Sequence, residues 1–248
     1  MPKINNKKLN CFEIKNLTDD SADLLIYGDI VSDSWMKWSN EDTCPQDITD
    51  FLNNLDGKSK INVYINSGGG SVFAGLAIYN MLKRHKAEKT VYIDGLAGSI
   101  ASVIAMAGDK VIIPKSAFLM VHKPWSSVWG GDANEFRKMA DTLDRLEEGI
   151  INVYEDNMRE GVTREEIQSL VEEETWLNGA EAEKYFNVEV DTSSENVAAC
   201  VSDCFKNYKN VPDFIKNKQK STENEPKDDY KHSLNAKRRR LDLKLLEV

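Results

Sequence analysis

Ser99 ends the run Gly95-Leu-Ala-Gly98, where a β-branched stretch (Thr90 to Ile93) gives way to an apolar, helix-like one reaching Gly108. A serine on such a sharp turn holds its hydroxyl near a helix N-terminus. Unpaired backbone N–H groups there favour negative charge. That setting suits a nucleophile, and it equally suits a serine that only caps a helix. The distinction rests on a base. The chain has three histidines. His85 lies in the basic helix end Lys83-Arg-His-Lys86, and His232 in a polar tail. His122 alone closes an apolar strand, Phe118-Leu-Met-Val121. Sites collect at the C-terminal ends of strands in parallel α/β sheets, and imidazole titrates near neutrality. Ser99 and His122 are therefore the candidate nucleophile and base.

A third chemical signal is Asn66-Ser-Gly-Gly-Gly70, after the strand Ile61 to Ile65. It is too short for a Walker loop and lacks the following Lys-Ser/Thr. It also misses the third glycine of a dinucleotide fingerprint, since Phe73 stands there. Exposed backbone N–H groups for an oxyanion, or an edge for a peptide, fit it better.

The elements that must position these residues alternate. Strands are expected at Asp23 to Val31 (ending in a glycine turn at Gly28), 61–65, 90–93, 110–113 and 118–121. Helices are expected at 48–55, 72–83, 99–108, 132–158, 164–171 (behind the capping box Thr163-Arg-Glu-Glu166) and 179–185. Alternation of this kind implies an α/β fold with a largely parallel sheet.

The 248 residues suit one domain with appendages, and 41% hydrophobic content supports a substantial core. No apolar run is long enough for a membrane span, and the start does not read as a secretory leader, so a cytoplasmic protein is expected. Cys11, Cys44, Cys200 and Cys204 lack zinc-ligand spacing and read as reduced thiols. The net charge of −9 argues against nucleic acid as the main partner. From Phe205 onward the balance reverses, with 12 Lys/Arg against 7 Asp/Glu, including Lys237-Arg-Arg-Arg240. Residues 217–240 hold almost nothing apolar and read as disordered or linker. The closing Leu241-Asp-Leu-Lys-Leu-Leu246 restores an amphipathic pattern.

Five segments carry a family resemblance. They are Tyr64-Ile-Asn-Ser-Gly-Gly-Gly70, Ala74-Gly-Leu-Ala-Ile-Tyr79, Gly95-Leu-Ala-Gly-Ser-Ile-Ala-Ser102, Leu119-Met-Val-His-Lys-Pro124, and Glu174-Thr-Trp-Leu-Asn-Gly-Ala-Glu-Ala-Glu-Lys-Tyr185. Together they resemble the proteolytic subunit of the Clp protease family over about residues 20–191. Ile26-Tyr-Gly-Asp-Ile30, Glu174-Thr-Trp176 and the basic tail resemble its phage and prophage branch, the head maturation proteases.

The resemblance implies a ClpP/crotonase-type α/β fold of repeated β-β-α units with a protruding handle helix at 132–158. Residues 1–191 would form the serine peptidase domain and 192–248 a basic extension, largely disordered or linker. Ser99 matches the nucleophile, His122 the base and Glu174 the acid, where the family usually has aspartate; Glu172 and Glu173 are neighbouring substitutes. Gly70 and Ile100 match the backbone donors of the oxyanion hole. Gly68, Gly69, Ser71 and Val72 would form one wall of a peptide cleft, and Lys123, Pro124 and Trp125, within 123–130, the other.

The implied activity is endopeptidase, with no cofactor and no metal. The implied partners are polypeptide substrates and copies of the same chain in heptameric or double-heptameric rings. Capsid or scaffold protein would be the substrate in the phage branch, and a Clp ATPase the partner in the housekeeping branch. Neither nucleic acid nor membrane is implied. A crotonase-like acyl-CoA enzyme and a non-catalytic chamber or assembly subunit are the competing readings of the same fold.

Overall fold

The structure is a computed structural model that describes residues 20–55, 57–127, 130–192 and 203–212. The chain divides into two compact units, Met1–Asn210 and Val211–Val248, and every element named below lies in the first.

Seven strands make one sheet: β1 (Ser21–Ile30), β2 (Lys60–Gly70), β3 (Glu88–Gly98), β4 (Lys110–Pro114), β5 (Phe118–Val121), β6 (Thr175–Asn178) and β7 (Glu189–Asp191). The helices are α1 (Pro45–Asn53), α2 (Val72–Arg84), α3 (Ile100–Ala105), α4 (Ala133–Glu155), α5 (Arg164–Glu172) and α6 (Gly179–Tyr185). Short 3-10 turns occur at Ser34–Met36 and Asp203–Asn207. The main path runs β1-β2-β3-β4-β7, all parallel. Every second residue of β2 and β3 (Ile61, Val63, Ile65; Val91, Ile93) enters a core shared with Ile78, Leu82, Ile100 and Ile104. Each such isoleucine contributes roughly 1.5–3 kcal/mol by leaving water.

β3 is forked. Its first half pairs with β4 (Thr90↔Lys110), and its second half with β5 (Gly98↔Met120). β5 then pairs antiparallel with β6 (Val121↔Thr175). This register fixes the site. Ser99 follows Gly98, His122 follows Val121, and Glu174 precedes Thr175, so all three leave the sheet at one end. The amide of Ser99 donates to the Met120 carbonyl at 2.9 Å, which closes the row.

Several expectations are corrected in detail. β1 does not turn at Gly28 but passes through it with a bulge at Tyr27/Asp29. At φ 74° the residue lies so close to Glu41 that a Cβ would stand 2.7 Å from its carbonyl carbon. β2 and β3 run on through their glycines to Gly70 and Gly98. α1 starts earlier, because Pro45 takes its first turn and Asp47 accepts from the Cys44 amide at 2.8 Å. α3 stops at Ala105. β6 and β7 were not expected, being four and three residues long, too short to show a period.

Residues 203–210 fall inside the stretch expected to be linker, yet they fold on the sheet end, with Phe205 and Tyr208 buried. The Lys237–Arg240 cluster and the amphipathic segment 241–246 lie outside the described residues.

Helix α4 begins with a full capping box, Asp132 with Glu135. None of its residues from Ala133 to Gly149 is buried, and only its last turns (Ile150, Ile151, Val153, Tyr154) enter the core. The first four turns therefore project, as expected of a handle.

Candidate active site

Ser99 is held at φ 53° and ψ −126°. Its side chain makes no cap bond to α3, which removes the helix-cap reading. Instead its Oγ lies 2.7 Å from Nε2 of His122. Positive φ costs a non-glycine residue about 1–3 kcal/mol. The sequence enforces it here through close packing: a Cβ on Gly69 would meet Ser99 Cβ at 2.7 Å and Gly98 O at 2.7 Å. Only glycine lets the β2 backbone come this near. The Ser99 carbonyl accepts from the Ser102 hydroxyl, whose oxygen is 2.7 Å from that of buried Tyr154. Ser102 and Tyr154 were not among the sequence candidates. They tie the nucleophile turn to the root of α4.

Gly68 and Gly69 are buried, and Gly70 sits at φ 146° against Ile30. Buried polar groups hold this loop: Ser67 Oγ donates to Gly28 O at 2.5 Å and accepts from Gly69 N at 3.1 Å. Asn66 Oδ1 accepts from Leu96 N at 3.2 Å. A Cβ on Gly69 would be 3.2 Å from Ile100 N, so the glycine loop and the amide after Ser99 border the same small space. Ser71 caps α2 through Ala74 N and touches the Ser32 hydroxyl at 3.0 Å, and Val72 is only partly buried. On the other side, Lys123 pairs with Glu147 (3.6 Å) and Glu172 (3.4 Å), and Trp125 is half exposed. Positions 128–129 of that wall lie outside the described residues.

Burial separates the three candidate acids. Glu172 turns to Lys123 in solvent, and Glu173 reaches Ser169 Oγ at 3.4 Å. Glu174 alone is buried, at φ 52°. Its charge draws the His122 imidazole upward in pKa, but burial is the larger effect and holds that imidazole below its ordinary value. The Glu174 oxygens accept from the backbone amides of Lys209 (2.9 Å) and Asn210 (2.6 Å). The ring of Tyr208 stands edge-on to His122 at 4.9 Å, and its hydroxyl donates to the Gly68 carbonyl. Trp176, in β6, backs both Phe205 and Tyr208. The only hint of this contact in the sequence is one pair of aromatics three apart, Phe205 and Tyr208, in a polar stretch.

A serine bonded to an imidazole whose pKa burial lowers, beside a buried carboxylate and a glycine-rich loop, can perform acyl transfer. Among the described residues no group of three or more His, Cys, Asp or Glu could hold a metal ion. No helix among them is long and apolar enough to cross a membrane.

Comparison with known proteins gives the family. The Clp protease family model matches residues 22–188. The ATP-dependent Clp protease proteolytic subunit of Bacteroides fragilis is 29% identical over 138 residues, 54% of this chain and 65% of that protein. The subunit of the same name from Staurastrum punctulatum is 31% identical over 148 residues, 59% and 73% of the two chains. The chain thus spans just under two-thirds of the Bacteroides relative. A point mutant of ClpP1 from Listeria monocytogenes superposes with a TM-score of 0.55 at 25% identity, over 70% of this chain and 92% of that one.

Proposed function

Because the chain belongs to the Clp protease family, we propose that it is a serine endopeptidase acting through Ser99, His122 and Glu174. The observation that carries this reading is the 2.7 Å contact between Ser99 Oγ and His122 Nε2 on a turn that strains the serine. His122 takes the Ser99 proton as Oγ attacks a peptide carbonyl. The amides of Gly70 and Ile100 hold the resulting oxyanion. His122 then returns the proton to the leaving amine as the C–N bond breaks. Water, deprotonated by the same imidazole, releases the acyl group from Ser99. Glu174 stabilises the imidazolium. The acyl-CoA alternative is disfavoured by this pairing, since an oxyanion hole alone would serve a thioester enzyme.

The partner reading follows the names of the relatives: we propose a proteolytic subunit served by an ATP-dependent unfoldase, assembled into rings that dock face to face through the projecting part of α4. Maturation of capsid or scaffold protein is the second reading, favoured by the basic residues beyond the family match. Labelling of Ser99 by a fluorophosphonate tests the chemistry; wild type must react and Ser99→Ala must not. Masses of the two purified proteins divide the readings. A wild type trimmed relative to Ser99→Ala supports self-processing maturation, and equal masses support the unfoldase-served subunit. The native mass of the oligomer tests the rings.

A further inference from the structure

Residues 205–210 lie against the candidate site. Phe205 and Tyr208 pack against Trp176 with centroids 6.2 and 6.1 Å away, and against each other at 6.2 Å. Tyr208 stands roughly perpendicular to the His122 ring and bonds the Gly68 carbonyl, a group on the strand end along which an extended substrate would pair. Two consecutive amides, of Lys209 and Asn210, occupy both oxygens of Glu174. The Asn210 side chain adds a bond to the Glu173 carbonyl at 2.8 Å. An aromatic ring, a hydroxyl and two backbone donors thus meet three separate parts of the site at once.

We propose that Trp176, His122 and the Gly68 carbonyl form a subsite for an aromatic side chain, and that residues 205–210 occupy it as an intramolecular competitor of peptide substrates. This inference rests on the peptidase reading. The segment does not block the Ser99–His122 contact. It fills the space beside that pair and diverts the acid that would steady the imidazolium. A substrate with an aromatic residue at the matching position displaces Tyr208 and frees Glu174 in the same event.

The test uses full-length protein with Tyr208→Ala, and separately Asn210→Pro, which deletes one amide donor to Glu174. Two measurements are made on each. Proton NMR titration follows the His122 ring, assigned by loss of its signal in His122→Gln. Fluorophosphonate labelling follows Ser99. Each substitution is expected to raise the His122 pKa, as solvent and Glu174 reach it, and Tyr208→Ala to speed labelling at least about tenfold. The synthetic peptide Phe-Lys-Asn-Tyr-Lys-Asn, added to the Tyr208→Ala protein, is expected to slow labelling again; a scrambled peptide is not. Unchanged titration and labelling in both variants would overturn the competitor role while leaving the peptidase reading in place. A shifted titration with a Ser99 that is labelled in no form would instead sink the peptidase reading, and the competitor role with it.

Discussion

Ser99 and Glu174 share a positive φ, 53° and 52°, that no other non-glycine residue among those described adopts. Both stand at strand ends, Ser99 in contact with His122 and Glu174 acting on it through its charge. Strain at two members of one constellation is what pre-organisation requires, because the surrounding packing must hold each side chain where relaxed backbone would not. Ser99→Gly relieves the strain and Ser99→Ala keeps it. The glycine variant is therefore expected to be more stable than the alanine variant by about 1 kcal/mol, or roughly 2–4 °C in melting midpoint. Calorimetry on the two inactive proteins checks this, and equal midpoints would show an unstrained turn.

Gly69→Ala tests the loop that forces that turn. Its Cβ would stand 2.7 Å from both Gly98 O and Ser99 Cβ, at a φ of 100° that disfavours any side chain. The nucleophile must shift. Fluorophosphonate labelling of Ser99 is expected to fall at least about a hundredfold, the scale of a lost oxyanion donor, with a drop in melting midpoint. The same change at Gly57, which has nothing within 4 Å, is expected to cost stability through its positive φ and leave labelling unchanged.

These two positions show how much the residues alone disclose. The serine turn, His122 and the glycine run were legible because each breaks an otherwise regular apolar pattern at a strand end. Glu174 could be singled out only by likeness, since three consecutive glutamates offer the same chemistry and their difference in burial does not show in the sequence. β6 was hidden because Thr175 to Asn178 spans four residues and pairs antiparallel in a parallel sheet. Ser102 and Tyr154 escaped notice because a serine inside an apolar helix and a tyrosine on a long one look like ordinary packing. The segment 205–210 was obscured by its composition: Lys and Asn surround Phe205 and Tyr208, and only the three-residue spacing of the rings hints at one turn of tight helix.

The pH response has a definite sign. Burial holds the His122 imidazole below its ordinary 6.5, partly offset by the charge of Glu174. A base acts when neutral, so the acid limb of Ser99 labelling is expected below pH 6.5. Glu174→Gln removes the upward pull and is expected to move that limb to still lower pH while reducing the plateau. A limb at or above 6.5 in wild type would contradict the burial. Stability follows the same linkage. His85 is also lowered, by burial first and Lys89 second. Both histidines bind protons more readily in the unfolded chain, so their contribution is intact above pH 6.5 and is lost as pH falls toward their folded values. Chemical denaturation between pH 7.5 and pH 5.5 is expected to show a declining midpoint, with carboxylate effects dominating only at lower pH.

The buried hydroxyl pair behind the nucleophile gives the last expectation. Ser102 Oγ donates to the Ser99 carbonyl and lies 2.7 Å from Tyr154 Oη, so it can accept from that phenol while donating to the turn. Burial also pushes the Tyr154 phenol far up in pKa, so it remains a neutral donor throughout the working range. Tyr154→Phe removes one bond and leaves Ser102 its other partner, an expected cost of about 1 kcal/mol. Ser102→Ala costs more, roughly 1–3 kcal/mol, because it strands the phenol in the core and removes one of two bonds to the Ser99 carbonyl, which keeps the residue-102 amide at 3.0 Å. The double variant strands nothing. Its loss is therefore expected to fall short of the sum by at least about 0.5 kcal/mol, the signature of residues acting as one network. Strict additivity in denaturant unfolding would mean that the two hydroxyls ignore each other. If Ser102→Ala slows Ser99 labelling far more than Tyr154→Phe does, the position of the nucleophile is governed by the bond to its carbonyl, and α4 matters to the site only as the anchor that keeps Ser102 pointed at it.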